Sequence, residues 1–180
     1  MKKVTVVLTL LLVPLFGMSQ SIFDKFQNAD NIAAISINKG MLSWVADMAD
    51  EDQDQDTKDF ISLAKSIDGI KIFVSEDTKA SADMAATMKK HVKQSGLEQL
   101  MRVKDGDTNV KFYIKSGRNA NKVKELVMFV TGIDNEETSM HPKFETVLLT
   151  MTGDIDLDKV GSLTNKMNLP KELKKAERGR

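Results

Sequence analysis

The sequence contains no cysteine, and this absence excludes several kinds of chemistry at once. A cysteine nucleophile, a thiolate metal site and a dithiol redox motif all require that residue. The fold must also form without disulfides, so its stability has to come from its hydrophobic core. Glycine-rich nucleotide-binding patterns and the G-x-S-x-G motif are missing too. Nucleotide-dependent enzymes and the common serine hydrolases are therefore disfavoured.

The chain also has no net charge and few histidines. The chain has 26 basic and 26 acidic residues, so it has no global field that would attract nucleic acid or an anionic membrane. His91 and His141 are the only 2 histidines, and neither has a second histidine or a cysteine nearby in the sequence. A zinc site needs three or four ligands, so both are interpreted as structural residues. We predict no cofactor and no nucleic-acid partner.

The N-terminus has the three-part layout of a secretory signal. Lys2 and Lys3 form a positive start, Val4–Phe16 is an apolar run, and Gly17 and Ser19 are the small residues that a signal peptidase requires. The run is shorter than the about 20 residues that cross a bilayer. We therefore expect cleavage after Ser19, no membrane span after processing, and a periplasmic or secreted location. No cysteine follows for lipid attachment, and a retained anchor is the alternative.

Processing would leave 161 residues, with 24 basic and 26 acidic groups and a net charge of −2. This length suits one domain, which we place at residues 20–169, after a signal peptide at residues 1–19. Pro170 ends the ordered pattern. Residues 170–180 are predicted to be a disordered charged tail, because they contain too little apolar surface to fold.

Hydrophobic periodicity predicts the order strand, two helices, strand, helix, four strands, helix. The longest helix is expected from about Thr78 to Gln94, capped by Asp77 and ended by Gly96. Residues 122–131 are ambiguous between strand and helix, although five consecutive apolar residues favour a strand. Alternation followed by a run of strands predicts an α+β domain. We expect one mostly antiparallel sheet of about six strands with helices packed on one face.

The first predicted helix carries the only tryptophan of the chain. Met41, Leu42, Val45 and Met48 have helical spacing and are expected to form its buried face. Trp44 falls beside that stripe, just before an acidic stretch. It either covers the edge of the core or, if exposed, is a possible contact for a partner.

Four segments resemble, in order and spacing, the domain of unknown function 4252 family. They are "ISINKGMLSWV", "IDGIKIFVSED", "ELVMFVTG" and "TMTGDIDLDKVGSL", and together they span about Ile32 to Leu163. The resemblance implies a small secreted or envelope protein of a Gram-negative bacterium. The family has no assigned activity, so the resemblance implies a location and an architecture only.

The stretch "ADEDQDQDTKD" is the strongest concentration of charge, and it allows two interpretations. Asp52, Asp54 and Asp56 alternate as in a calcium-binding loop, but Thr57 and Leu63 stand where that loop needs glycine and a bidentate glutamate. The favoured interpretation is a solvated loop followed by a helix that Asp56 caps. The three aspartates remain weak candidates for a metal site.

Three hypotheses about function follow. The first is a non-enzymatic envelope protein that binds another protein or a component of the cell surface, with Trp44 as a possible contact. The second is a periplasmic small-molecule binder or carboxylate-based hydrolase, which requires a pocket with two facing acidic residues. The third is a calcium-responsive protein that uses the acidic loop at residues 50–56. The identity of the partner and the oligomeric state cannot be read from the sequence.

Overall fold

The structure is a computed structural model that describes residues 21–49, 54–119, 121–133 and 145–160. The expected signal peptide, the charged tail and His141 lie outside these residues. The predictions made for them, and for the limits of the domain, therefore stay predictions.

The strands and helices follow one another in the predicted order. They are β1 (Ala33–Asn38), α1 (Lys39–Met48), α2 (Gln55–Ser66), β2 (Ile67–Ser75), α3 (Thr78–Ser95), β3 (Glu98–Asp105), β4 (Thr108–Ser116), β5 (Lys122–Thr131) and β6 (Thr146–Asp156). A short 3-10 turn at Asp24–Phe26 precedes β1, and residues 157–160 are helical. The ambiguous segment at residues 122–131 is strand β5, as predicted.

The six strands form one antiparallel sheet in the order β1-β2-β6-β5-β4-β3. This confirms the α+β class. Strand β6 comes last in the chain, yet it lies between β2 and β5 in the middle of the sheet. Strand β6 therefore joins the β1-β2 pair to the three strands β5, β4 and β3. Strands β1 and β3 are the edges of the sheet.

Helices pack on both faces of this sheet, whereas one face was expected. Adjacent residues of β5 show the two sides: Val127 packs in a cluster with Met84 of α3, and Leu126 packs in another with Leu63 of α2. The physical reason is that the central strands are apolar on both sides. Each side must then be removed from water by its own layer.

The α3 face is completed by the segment before β1. Phe23 and Phe26 are fully buried there, and the Phe26 ring meets Phe73 of β2 edge-on at 5.7 Å. An ion pair between Lys71 and Asp24 holds the same segment to β2. The first residues that the structure describes are therefore part of the core.

The opposite face, on which α1 and α2 pack, is apolar across the whole sheet. One cross-strand row contains, from edge to edge, Ile35, Ile72, Leu149, Met128, Phe112 and Met101. All of these are half-buried except Ile35, which is 55% exposed at the β1 edge. The apolar surface of the sheet thus reaches solvent at β1.

Local signals set the ends of the helices. The Asp77 carboxylate accepts a hydrogen bond from Ala80 N–H at 2.7 Å, and Gly96 ends α3 in the left-handed conformation with φ 63°, both as predicted. Helix α2 differs, because its cap is Asp54 and not Asp56. Asp54 Oδ1 accepts from Thr57 N–H at 2.9 Å, and Asp56 lies in the first turn.

Candidate functional site

Strand β1 runs directly into helix α1. Asn38 is the last residue of the strand and also the cap of the helix, since its Oδ1 accepts a hydrogen bond from Met41 N–H at 3.0 Å. No loop separates the two elements, so the position of α1 is tied to the edge of the sheet.

Small residues hold the inner side of α1 against α2. Ala46 is 1% exposed and packs with Ile61 and Ala64 of α2. Asp47 adds an ion pair with Lys65 of α2 at 3.0 Å. A contact made by alanines lets two helices approach closely, because the distance between their axes depends on the side chains between them. The larger side chains of α1 are left on its other sides.

Four of those larger side chains form what we call the α1 stripe: Met41, Trp44, Val45 and Met48. Their exposed fractions are 53%, 60%, 37% and 69%. The spacing i, i+3, i+4, i+7 places them on one side of the helix. The prediction that Met41, Val45 and Met48 are buried is therefore wrong, whereas Leu42 of that set is half-buried against the sheet.

The α1 stripe faces outward past the edge of the sheet. Helix α1 contacts β1 and β2, whereas α2 contacts β2 and β6 and lies nearer the centre. Ala46 and Asp47 mark the side of α1 that faces α2. The stripe lies on the side turned away from them, above the free border of β1.

Strand β1 itself is open. Residues 33–36 are all exposed, and β1 pairs with β2 in one continuous register without a bulge. Among the residues that the structure describes, no other backbone segment hydrogen-bonds to β1. We call β1 and the α1 stripe together the edge surface.

The described part of the acidic stretch forms the cap and the first turn of α2. Asp54 is the cap of α2 and Asp56 is exposed in the first turn, while Asp52 lies outside the described residues. Within the described ranges, no three acidic or histidine side chains come together in a way that could hold a metal ion. A calcium site at residues 50–56 stays a prediction.

The chain brings together one constellation that sequence reasoning missed. His91 Nε2 lies 2.7 Å from Glu125 Oε1, and His91 Nδ1 lies 3.1 Å from Ser95 Oγ. The side chains of His91 and Glu125 are only 13% and 14% exposed, and the Phe23 ring packs edge-on against the imidazole at 4.8 Å. The spacing of His91 and Ser95 is a signal for their contact, but Glu125 is brought to them only by the fold.

This histidine cluster does not have the surroundings of a nucleophilic serine. Ser95 is the last residue of α3, where a helix presents carbonyl oxygens and the negative end of its dipole. An oxyanion needs N–H donors or positive charge at that place. The cluster instead ties the end of α3 to β5 and to the segment before β1.

The described residues also line a shallow open cleft at one end of β1 and β2. Asn31, Ala33, Val74, Glu76 and Asp77 line it. Asp77 is already engaged as the cap of α3, which leaves Glu76 as the carboxylate that faces the opening. Two facing carboxylates, which the small-molecule hypothesis requires, are not brought together here.

The sequence matches a known protein family over most of its length. The family model described as "Domain of unknown function (DUF4252)" matches residues 26–163. The chain belongs to this family. The match begins at the buried 3-10 turn and runs through all six strands, so it covers the edge surface as well as the core. Searches of the curated proteins and of the solved structures found no match.

None of the helices that the structure describes combines the length and apolar character needed to cross a membrane. Among the described residues of this DUF4252 chain, the edge surface is the main apolar feature that the core leaves uncovered. The sequence carried one signal for it. Helix α1 has apolar residues on two sides, Leu42 and Ala46 on one and the α1 stripe on the other, and a helix at a sheet edge cannot bury both.

Proposed function

We propose that this protein is a non-enzymatic protein-binding module of the bacterial cell envelope, and that its partner binds at the edge surface. The observation that carries the proposal is the exposed α1 stripe, in which Trp44 is 60% exposed. Single exposed apolar side chains are common, but contiguous patches mark interaction sites. Tryptophan is also enriched among the residues that dominate binding energy.

The charges near the α1 stripe favour a protein over a lipid surface. Asp47, Asp54 and Asp56 are exposed and lie on or soon after α1 in the chain. An anionic membrane attracts lysine and arginine and repels carboxylates. A protein partner with an apolar patch of its own fits better.

The envelope location is supported by the N-terminal pattern of a positive start, a short apolar run and small residues. The absence of cysteine agrees with a fold that does not depend on the redox state of its compartment.

Photo-crosslinking in the native envelope tests the proposal. A photoreactive aromatic residue is placed at Trp44 in the full chain, and the matched control places it at Lys90, which is exposed on α3. We expect a discrete protein adduct from position 44 and none from position 90. Equal labelling at both positions, or no adduct at position 44, would contradict the proposal.

A charge substitution supplies the second control. Met48→Asp should abolish the adduct formed at position 44, because a carboxylate in the α1 stripe cannot be desolvated against an apolar partner. Ala86→Asp changes an exposed residue on α3 in the same way and should leave the adduct unchanged.

A further inference from the structure

We infer that the partner of the edge surface is a second copy of this chain, and that the two β1 strands pair antiparallel to join two sheets into one. This inference rests on the proposed function, because it names the partner of the same surface. It is carried by the chemistry of β1, by the register that a twofold axis allows, and by the position of α1.

The β1 strand lacks the features by which proteins protect a free edge. Its sequence "AAISIN" has no charged residue and no proline, and its pairing with β2 contains no bulge. Lysines, prolines and bulges are the usual defences of an exposed edge, since unpaired N–H and C=O groups accept another strand. An edge without them is expected to be paired.

A twofold axis perpendicular to the sheet gives β1 a self-complementary register. Such an axis keeps both copies of α1 on the same face, so Ala33, Ile35 and Ile37 must lie opposite one another in the pair. Any axis centred on a residue satisfies this condition, and axes at Ile35 and at Ser36 give the longest overlap of the six-residue strand. Like charges directly opposite each other destabilise a strand pair. Strand β1 has no charged residue, so neither register creates such a contact.

The position of α1 fits the same arrangement. Helix α1 contacts β1 and β2, so its axis lies above the boundary between them. Its symmetry mate then lies two strand spacings away, about 9.6 Å at 4.8 Å per strand. Two helices pack directly at about 8–10 Å. The two α1 stripes would therefore meet above the paired β1 strands and cover Ile35.

The absence of native cysteine makes the test direct. The full chain is expressed with its leader and purified in the form that the cell produces. Single variants Ile35→Cys and Ser36→Cys are then oxidised, with Leu100→Cys on the β3 edge as the control. Residues directly opposite in an antiparallel pair have Cα atoms about 4.5–5.5 Å apart, which a disulfide can bridge. We expect a covalent dimer from position 35 or 36 and none from position 100.

Sedimentation equilibrium of the unmodified protein provides the second measurement. We expect a dimer whose dissociation constant rises at least about 30-fold in Ile35→Lys, the effect of losing one dominant interface residue. A protein that stays monomeric at about 100 μM, with no crosslink at position 35 or 36, overturns the inference. So does a dimer that survives in Ile35→Lys.

These outcomes separate the inference from the proposed function. If the purified protein is monomeric while position 44 captures a different protein in the envelope, the second-copy inference fails and the binding module stands. If position 44 captures nothing in the envelope, the proposed function fails. A captured adduct with twice the mass of the chain supports both.

Discussion

The two edges of the sheet, β1 and β3, differ in how they meet solvent. Strand β3 carries Glu98, Arg102, Lys104 and Asp105, and its pairing with β4 shifts register between Gln99 and Met101. Strand β1 has no charged residue and no shift. Both are exposed, yet only β3 has the charge and irregularity that discourage another strand.

This difference shows that exposure alone does not identify an interaction surface. Leu100 on β3 is 45% exposed and Ile35 on β1 is 55% exposed, so the two are nearly alike in area. Leu100 stands at a bulge among charged neighbours. Ile35 stands beside the α1 stripe and at the end of an apolar row that crosses the sheet. The surroundings, and not the exposed fraction, distinguish the two edges.

The largest expected effect comes from charging the open edge. Ile35→Lys should raise the dissociation constant at least about 30-fold, whereas Leu100→Lys, its counterpart on β3, should change it less than about twofold. Both sites are on the surface, so the free energy of unfolding should fall by about 0.5 kcal/mol or less. Sedimentation equilibrium and urea unfolding measure the two quantities. Equal loss of association in both variants would remove the distinction between the edges.

Removing the protection of β3 should make the two edges alike. The double variant Arg102→Val and Lys104→Val leaves β3 with fewer charges, although it also removes the hydrogen bond from Arg102 Nε to Asn109 at 3.1 Å. We expect species larger than a dimer at about tenfold lower concentration than in the parent protein. Light scattering at increasing concentration detects them. A variant that remains identical to the parent would show that charge does not protect β3.

A substitution at the junction between β1 and α1 should have a smaller effect on association. Asn38→Ala removes the cap of α1 and should lower the free energy of unfolding by about 1 kcal/mol. Asp77→Ala removes the cap of α3 at a similar cost and is the matched control. We expect weaker association only in Asn38→Ala, because only that cap positions the α1 stripe. Association that weakens equally in both would attribute the effect to general stability.

The smallest effect concerns the acidic stretch beyond α1. Melting curves recorded with calcium and with a chelator should coincide, because Asp54 already caps α2 and the loop lacks the required glycine and glutamate. A rise in the melting temperature with calcium would instead support the calcium-responsive hypothesis.

Much of the fold could be predicted because its signals are local. The cap at Asp77 and the left-handed glycine at Gly96 depend on neighbours within one helical turn, so they define α3 wherever it packs. The alternation in β2 and the apolar run in β5 likewise predict strands. The cap of α2 was misplaced by two residues, at Asp56 instead of Asp54. Several aspartates could serve there, and burial of Thr57 and Ile61 against the rest of the chain selects one of them.

The candidate site was harder to predict because it is defined by what the fold leaves uncovered. The sequence indicates Trp44 as a possible contact, but it predicts Met41 and Met48 as core residues. Their spacing indicates an apolar side of a helix and does not indicate which side faces a neighbour. The histidine cluster is not predicted for a related reason, since Glu125 is distant in the chain from His91 and only the packing of α3 on β5 brings them together.

The sequence by itself determined the order of the elements, the α+β class, the absence of thiol chemistry and the family to which the chain belongs. Periodicity, caps and turns act over a few residues, and these properties need nothing more. Only the tertiary structure decided that helices cover both faces, that β1 becomes an edge, and that the inner side of α1 is its alanine side. Those outcomes depend on β6 inserting between β2 and β5 and on how closely two helices can approach, and both are contacts between residues far apart in the chain.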